Sequence, residues 1–152
     1  MSTYKNLIAE LSLRLKKQIY PNLNNIVVLL IENRVKIHIE TDSLGEIVII
    51  GAFITELPPG KFREHILKDA LKANYNVKNC HGILSYMGKE NILTLHSTFA
   101  LETLTIETLI QCLKHLTKRA RLWQDAIEEG KSSPYEDIPT GSRQSKKSIF
   151  GF

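Results

Sequence analysis

Residues 26–31, 35–39 and 46–54 are dense in isoleucine and valine, and two short turn-forming segments, Glu32-Asn33 and Asp42-Ser43-Leu44-Gly45, separate them. β-Branched side chains fit a pleated strand and lose rotamer freedom in a helix. Turns this short join antiparallel neighbours, so the three runs predict a β-meander. The second run alternates Val35, Ile37 and Ile39 with Arg34, Lys36, His38 and Glu40, which predicts one buried face. The first and third are apolar at consecutive positions and predict strands covered on both faces.

Helical periodicity flanks the meander. Tyr4, Leu7, Ile8, Leu11, Leu15 and Ile19 recur at steps of three and four, predicting an amphipathic helix over residues 4–19 that Pro21 stops. Ala9 and Leu13 lie on its opposite side. Beyond the third strand, Leu57-Pro58-Pro59-Gly60 breaks the ladder because proline has no N–H to give. A second helix is predicted over residues 61–75, and it carries two apolar stripes. Phe62, Ile66, Ala70 and Ala73 form one; Leu67, Leu71 and Tyr75 form the other. One domain core covers one stripe, and burying a large apolar side chain gains roughly 1.5–3 kcal/mol. The second stripe therefore predicts a homodimer through Leu67, Leu71 and Tyr75, unless a loop or the tail covers it within one chain.

Two further strands are predicted at residues 82–87 and 91–98, joined by Gly88-Lys89-Glu90 with the glycine supplying the unusual backbone angle. A last helix is predicted over residues 105–129, capped by Thr105 and ended by Gly130. Its core face is Ile106, Leu109, Ile110, Leu113, Leu116, Ala120, Trp123 and Ile127. The order is αβββαββα: one α+β domain, residues 1–130, with a twisted antiparallel sheet and three helices. Residues 131–152, rich in Ser, Pro, Gly and Lys without apolar period, read as a flexible basic tail.

Charge and composition exclude several functions. The net charge of +4 divides evenly, because Lys131, Arg143, Lys146 and Lys147 outnumber Glu136 and Asp137 by two in the tail. The folded part is thus nearly balanced, and no aromatic stacking positions accompany the basic residues, so nucleic acid is not an expected partner. Lys114, Lys118, Arg119 and Arg121 on the last helix read as a solvated face opposite its apolar stripe. The Arg143-Gln144-Ser145-Lys146-Lys147 patch suits contact with an acidic partner or a membrane surface, and Ile149, Phe150 and Phe152 make the chain end sticky. No apolar run approaches the ~20 residues of a bilayer span, and no cleavable apolar signal opens the chain, so no stable membrane insertion and a cytoplasmic location are expected.

No reaction centre is readable. His38, His65, His81, His96 and His115 are scattered, Cys80 and Cys112 lack a Cys-x-x-Cys spacing, and neither a metal site nor a cofactor motif is present. Cys80-His81 are sequence neighbours whose side chains diverge, so they do not make a nucleophile and its base. The expectation is a protein that is not an enzyme, binds no cofactor and works by contact.

Leu57-Pro58, the helix Leu67-Lys68-Asp69-Ala70-Leu71-Lys72-Ala73-Asn74, the strands Gly82-Ile83-Leu84 and Ile92-Leu93-Thr94-Leu95, and Leu101-Glu102-Thr103-Leu104-Thr105 before a helix bearing Trp123 occur in that order within one domain. Together they resemble the class I type III secretion chaperones, the Tir-chaperone-like family, over about residues 4–130. The resemblance implies a homodimer joined largely through the second helix. It also implies a client, the N-terminal segment of a secreted effector or translocator held in extended form in the bacterial cytoplasm, with the secretion-apparatus ATPase as a further partner. The family is usually acidic, whereas this chain has a pI near 9.1. An unfolded client must bury apolar residues in grooves and add a strand to a sheet edge to offset its lost entropy. The client-binding residues expected are Leu11, Leu13 and Leu15 on the first helix with Val28, Leu30, Ile37 and Ile39 on the strands. The competing reading is a non-secretion adaptor or scaffold that uses the same apolar flanks to bind a folded partner.

Overall fold

The Ile- and Val-rich runs form the meander in a computed structural model that describes residues 3–75, 77 and 80–138. Strand β1 spans Val27–Ile31, β2 Val35–Thr41 and β3 Ile47–Glu56; β4 (Ile83–Met87) and β5 (Ile92–Ala100) complete one sheet in the order β1-β2-β3-β5-β4. Every neighbouring pair is antiparallel. Helix α1 (Tyr4–Leu15) precedes the meander, α2 (Lys61–Ala73) follows it, and α3 (Ile106–Glu128) closes the domain. Helix α3 lies across β3 and β5 and packs on α1, while α2 sits against β4. Its Ile106, Leu109, Leu116, Ala120 and Trp123 meet Val48, Ile50, Ala52, Leu93 and Leu95 in one core.

Local chemistry sets the element ends. The Thr3 hydroxyl accepts the Asn6 N–H at 3.1 Å to cap α1, and Thr105 caps α3 through the Thr108 N–H at 3.1 Å. Helix α1 stops at Leu15, four residues short of expectation, because Lys16 turns into the left-handed region at φ 54°. The Ser12 hydroxyl then bonds the Lys17 carbonyl and accepts the Ile19 N–H, so Ile19 reaches the core from outside the helix. In the β4–β5 connection the positive φ falls on Asn91, at 57°, and not on Gly88. Asn91 is held there by its side chain, which donates to the Leu57 carbonyl at 2.7 Å and accepts from Tyr86 and Arg63 at 2.6 and 3.1 Å.

Three expectations fail on burial. Strand β3, expected to be covered on both faces, is buried on one, with Ile47 43% exposed and Ile49, Gly51 and Phe53 half-buried on the other. Strand β1 is covered on one face only: Val27 and Leu29 are buried while Val28 and Leu30 are 50% and 52% exposed. The strand lies at the sheet edge and the helices pack on one side of it. Arg119 is not on a solvated face but 6% exposed within the core. Its guanidinium donates to the carbonyls of Ala73, His81 and Gly82 at 3.2, 3.1 and 2.6 Å, and to Asp137 at 2.8 Å. Asp137 also accepts the Trp123 indole N–H at 2.6 Å, and Ile138 is buried. Residues 131–138, expected in the flexible tail, therefore pack on α3, with a 3-10 turn at Tyr135–Asp137. The rest of the expected tail, residues 139–152, lies outside the described residues. Gly82 fits this junction because its φ is 80° and an added Cβ would stand 2.6 Å from Leu116.

Candidate functional site

A five-stranded sheet has two edges, and each offers a row of unpaired backbone N–H and C=O groups. Here the two edges differ. At β4 the side-chain amide of Asn74, just past the end of α2, donates to the Leu84 carbonyl and accepts the Leu84 N–H, both at 2.8 Å. A primary amide has one acceptor and two donors in the spacing of a peptide group, so it pairs with the strand as another strand would. Among the described residues, β1 has no such plug; β2 pairs with one of its sides and no strand pairs with the other.

Beside that open edge runs a groove of about 520 Å³ between β1, the end of α1 and the outer side of α3. Leu15, Leu29, Ile31, Ile110, Leu113 and Leu122 make its apolar lining, with Leu30 half exposed at the lip. Its size falls in the range of pockets that take a ligand or a short peptide stretch. Lys17, Lys114, Lys118 and Arg121 stand around it with Glu32 and Asp125. Both acids are already held, Glu32 by Arg121 and Asp125 by Arg34. The Asp125 hydrogen bond raises the Arg34 pKa further.

The residues expected from sequence to bind a client divide into three sets. Leu15 and Leu30 line the groove. Leu13, 78% exposed, and Val28 are open to solvent but outside its lining. Leu11, Ile37 and Ile39 are buried completely, closed in beneath α1, α3 and the meander, and no ligand can reach them. On α3, Ile110 and Leu113, expected only as core, also line the groove, and Leu122 was missed. The spacing Ile110, Leu113, Thr117 marks a second helical row beside the core row, and that row is the sequence signal for a groove wall.

On α2 the structure separates the two stripes as the periodicity requires. Ile66, Ala70 and Ala73 are buried, whereas Leu71 and Tyr75 are 74% and 72% exposed, and Leu67 is half-buried against the core edge. Nothing in the described part of the chain covers Leu71 and Tyr75.

The scattered titratable groups do not assemble a centre. His81 and His115 stack with ring centroids 4.5 Å apart, and His38 meets Phe53 edge-on at 4.6 Å. Burial, and then Lys36, lower the His38 pKa. Burial, with Cys80 adding to it, pushes the Cys112 thiol up to about 12. Among the described residues no three His, Cys, Asp or Glu side chains gather as metal ligands, and no helix is long and apolar enough to cross a membrane.

Comparison with known proteins identifies the same fold. The model of the Tir chaperone protein (CesT) family matches residues 6–124. No curated protein sequence matches the chain. The fold superposes on that of the HopA1–SchA chaperone–effector complex with a TM-score of 0.66 at 20% identity, covering 81% of this chain and 94% of the other. The ExsC–ExsE complex gives 0.61 at 18% identity, over 78% and 89%. The Yersinia pestis type III secretion chaperone SycH, in complex with a stable fragment of YscM2, gives 0.61 at 16% identity, over 78% and 98%.

Proposed function

The chain belongs to the Tir chaperone protein family, and from that premise we propose that it is a type III secretion chaperone of the bacterial cytoplasm. It binds the N-terminal segment of an effector or translocator in extended form and keeps that segment soluble and competent for export. The observation that carries this reading is the open β1 edge lying directly against an apolar groove while the β4 edge is plugged at Leu84. An unfolded segment laid there satisfies its backbone on the strand and buries alternate side chains in the groove. Further support comes from similar structures described as a chaperone–effector complex and a type III secretion chaperone with a bound fragment.

The client site retains Leu13, Leu15, Val28 and Leu30 from the sequence reading, gains Ile110, Leu113 and Leu122, and gives up Leu11, Ile37 and Ile39. The chain works as a homodimer through α2, with Leu67, Leu71 and Tyr75 covered by the second copy. Contact work of this kind needs no catalytic group.

The test is affinity capture from the native cytoplasm with the intact chain and with Leu30→Glu, followed by mass spectrometry and limited proteolysis. A secreted protein shielded near its start is expected with the intact chain and absent with the variant. Recovery of a folded partner that resists proteolysis throughout, equally with both proteins, would favour an adaptor and end the chaperone reading. Leu13→Glu measured alongside reports whether the client continues over the outer side of α1.

A further inference from the structure

The charges around the groove are unbalanced in a way the fold does not require. Of the four basic residues on its rim, only Arg121 has an internal partner; Lys17, Lys114 and Lys118 make no ion pair among the described residues. Glu32 and Asp125, the two acids present, are each already bonded to an arginine. Three uncompensated ammonium groups above an apolar floor raise the local potential and attract negative charge during approach and docking.

We infer that the β1 groove selects an extended segment whose groove-facing residues, every second position, combine apolar side chains with aspartate or glutamate. This deepens, and rests on, the reading of the groove as the client site. A strand added to β1 sends alternate side chains to opposite sides. The set on the helix side enters the groove, with its apolar members between Leu15, Leu29 and Leu113 and its acidic members at the rim where Lys17, Lys114 and Lys118 stand; the other set faces away from the helices, on the side of Val28 and Leu30.

The experiment uses the full chain and three fluorescein-labelled synthetic peptides of about ten residues, with Leu or Ile at the central groove-facing positions, Glu, Gln or Lys at the flanking groove-facing positions, and Thr at the positions between. Fluorescence anisotropy is followed at low and high salt. The Glu peptide is expected to bind about tenfold more tightly than the Gln peptide, the sum of a few partly exposed ion pairs. The Lys peptide should be weaker still, and the difference should shrink with salt. Lys114→Gln with Lys118→Gln should bring the Glu peptide down to the affinity of the Gln peptide. Equal binding of Glu and Gln peptides, with both lost in Leu30→Glu, overturns the charge selection and leaves the groove reading intact. A preference for Glu that survives the lysine substitutions also overturns it. Failure of all three peptides to bind removes the groove reading and the selection with it.

Discussion

Arg119 offers the sharpest test of how the last described residues are held. Replacing it with methionine keeps the apolar stem and removes the guanidinium, so the cavity left is small and the loss is electrostatic. The carbonyls of Ala73 and Gly82 lose their donor in a buried setting, and Asp137 loses its counter-charge. Breaking one partner of a buried pair costs about 3–5 kcal/mol. The lower end applies, since the Asp137 side chain is 21% exposed and keeps the Trp123 indole N–H. A loss of about 3 kcal/mol lowers the midpoint of thermal unfolding by about 6–12 °C for a chain of this length. Asp137→Asn keeps an acceptor and should cost about 1–2 kcal/mol. The two changes should not add, because the double variant leaves no unpaired charge; a coupling above about 1 kcal/mol is expected. Urea and thermal unfolding at one fixed protein concentration measure all four proteins, since association shifts apparent stability. If Arg119→Met unfolds within about 1 kcal/mol of the parent, or if the two changes add, the guanidinium does not organise this junction.

Asn74→Ala removes two hydrogen bonds at a half-buried edge and should lower stability by about 1–3 kcal/mol in urea unfolding; Asn74→Asp, which lacks the amide donor, should be no better. The Tyr4 hydroxyl lies 2.9 Å from the carbonyls of Asn25 and Ile39, and burial together with Glu40 raises its pKa from 10.0 to about 12. The unfolded chain ionises first, so stability is complete below pH 10 and falls as pH rises from there towards 12. Unfolding followed across that window should show a shallower decline in Tyr4→Phe. Cys112, buried with its thiol raised to about 12, should resist a thiol reagent at neutral pH until the protein unfolds, whereas half-buried Cys80 reacts in the native state; labelling of both at equal rates contradicts the packing.

Much of the fold was legible because it is written as periodicity. The two stripes of α2 differ by fixed angular offsets, so Ile66 and Leu71 could be placed on different flanks before any partner was known. Strand β1 resisted the same treatment. Val27, Val28, Leu29 and Leu30 are all apolar, parity carries no signal there, and only the edge position of the strand decides that Val28 and Leu30 remain open. The buried Ile37 and Ile39 were mistaken for groove residues because choosing the inner side of β2 requires knowing where α3 lies. Arg119 was readable and misread. It falls three residues after Leu116 and four before Trp123, on the core row, and its partner Asp137 sits in a segment whose composition suggested no structure.

The unequal sheet ends limit the valency of the molecule. Repeated strand pairing into a fibre needs a receptive border at each side of every unit, as a chain of links needs two hooks. With the amide of Asn74 occupying Leu84 on one side, the β4 border is partly filled, and a guest or another sheet joins more readily at β1. A fold built this way can accept an added strand at β1 without offering an equally open border on its far side.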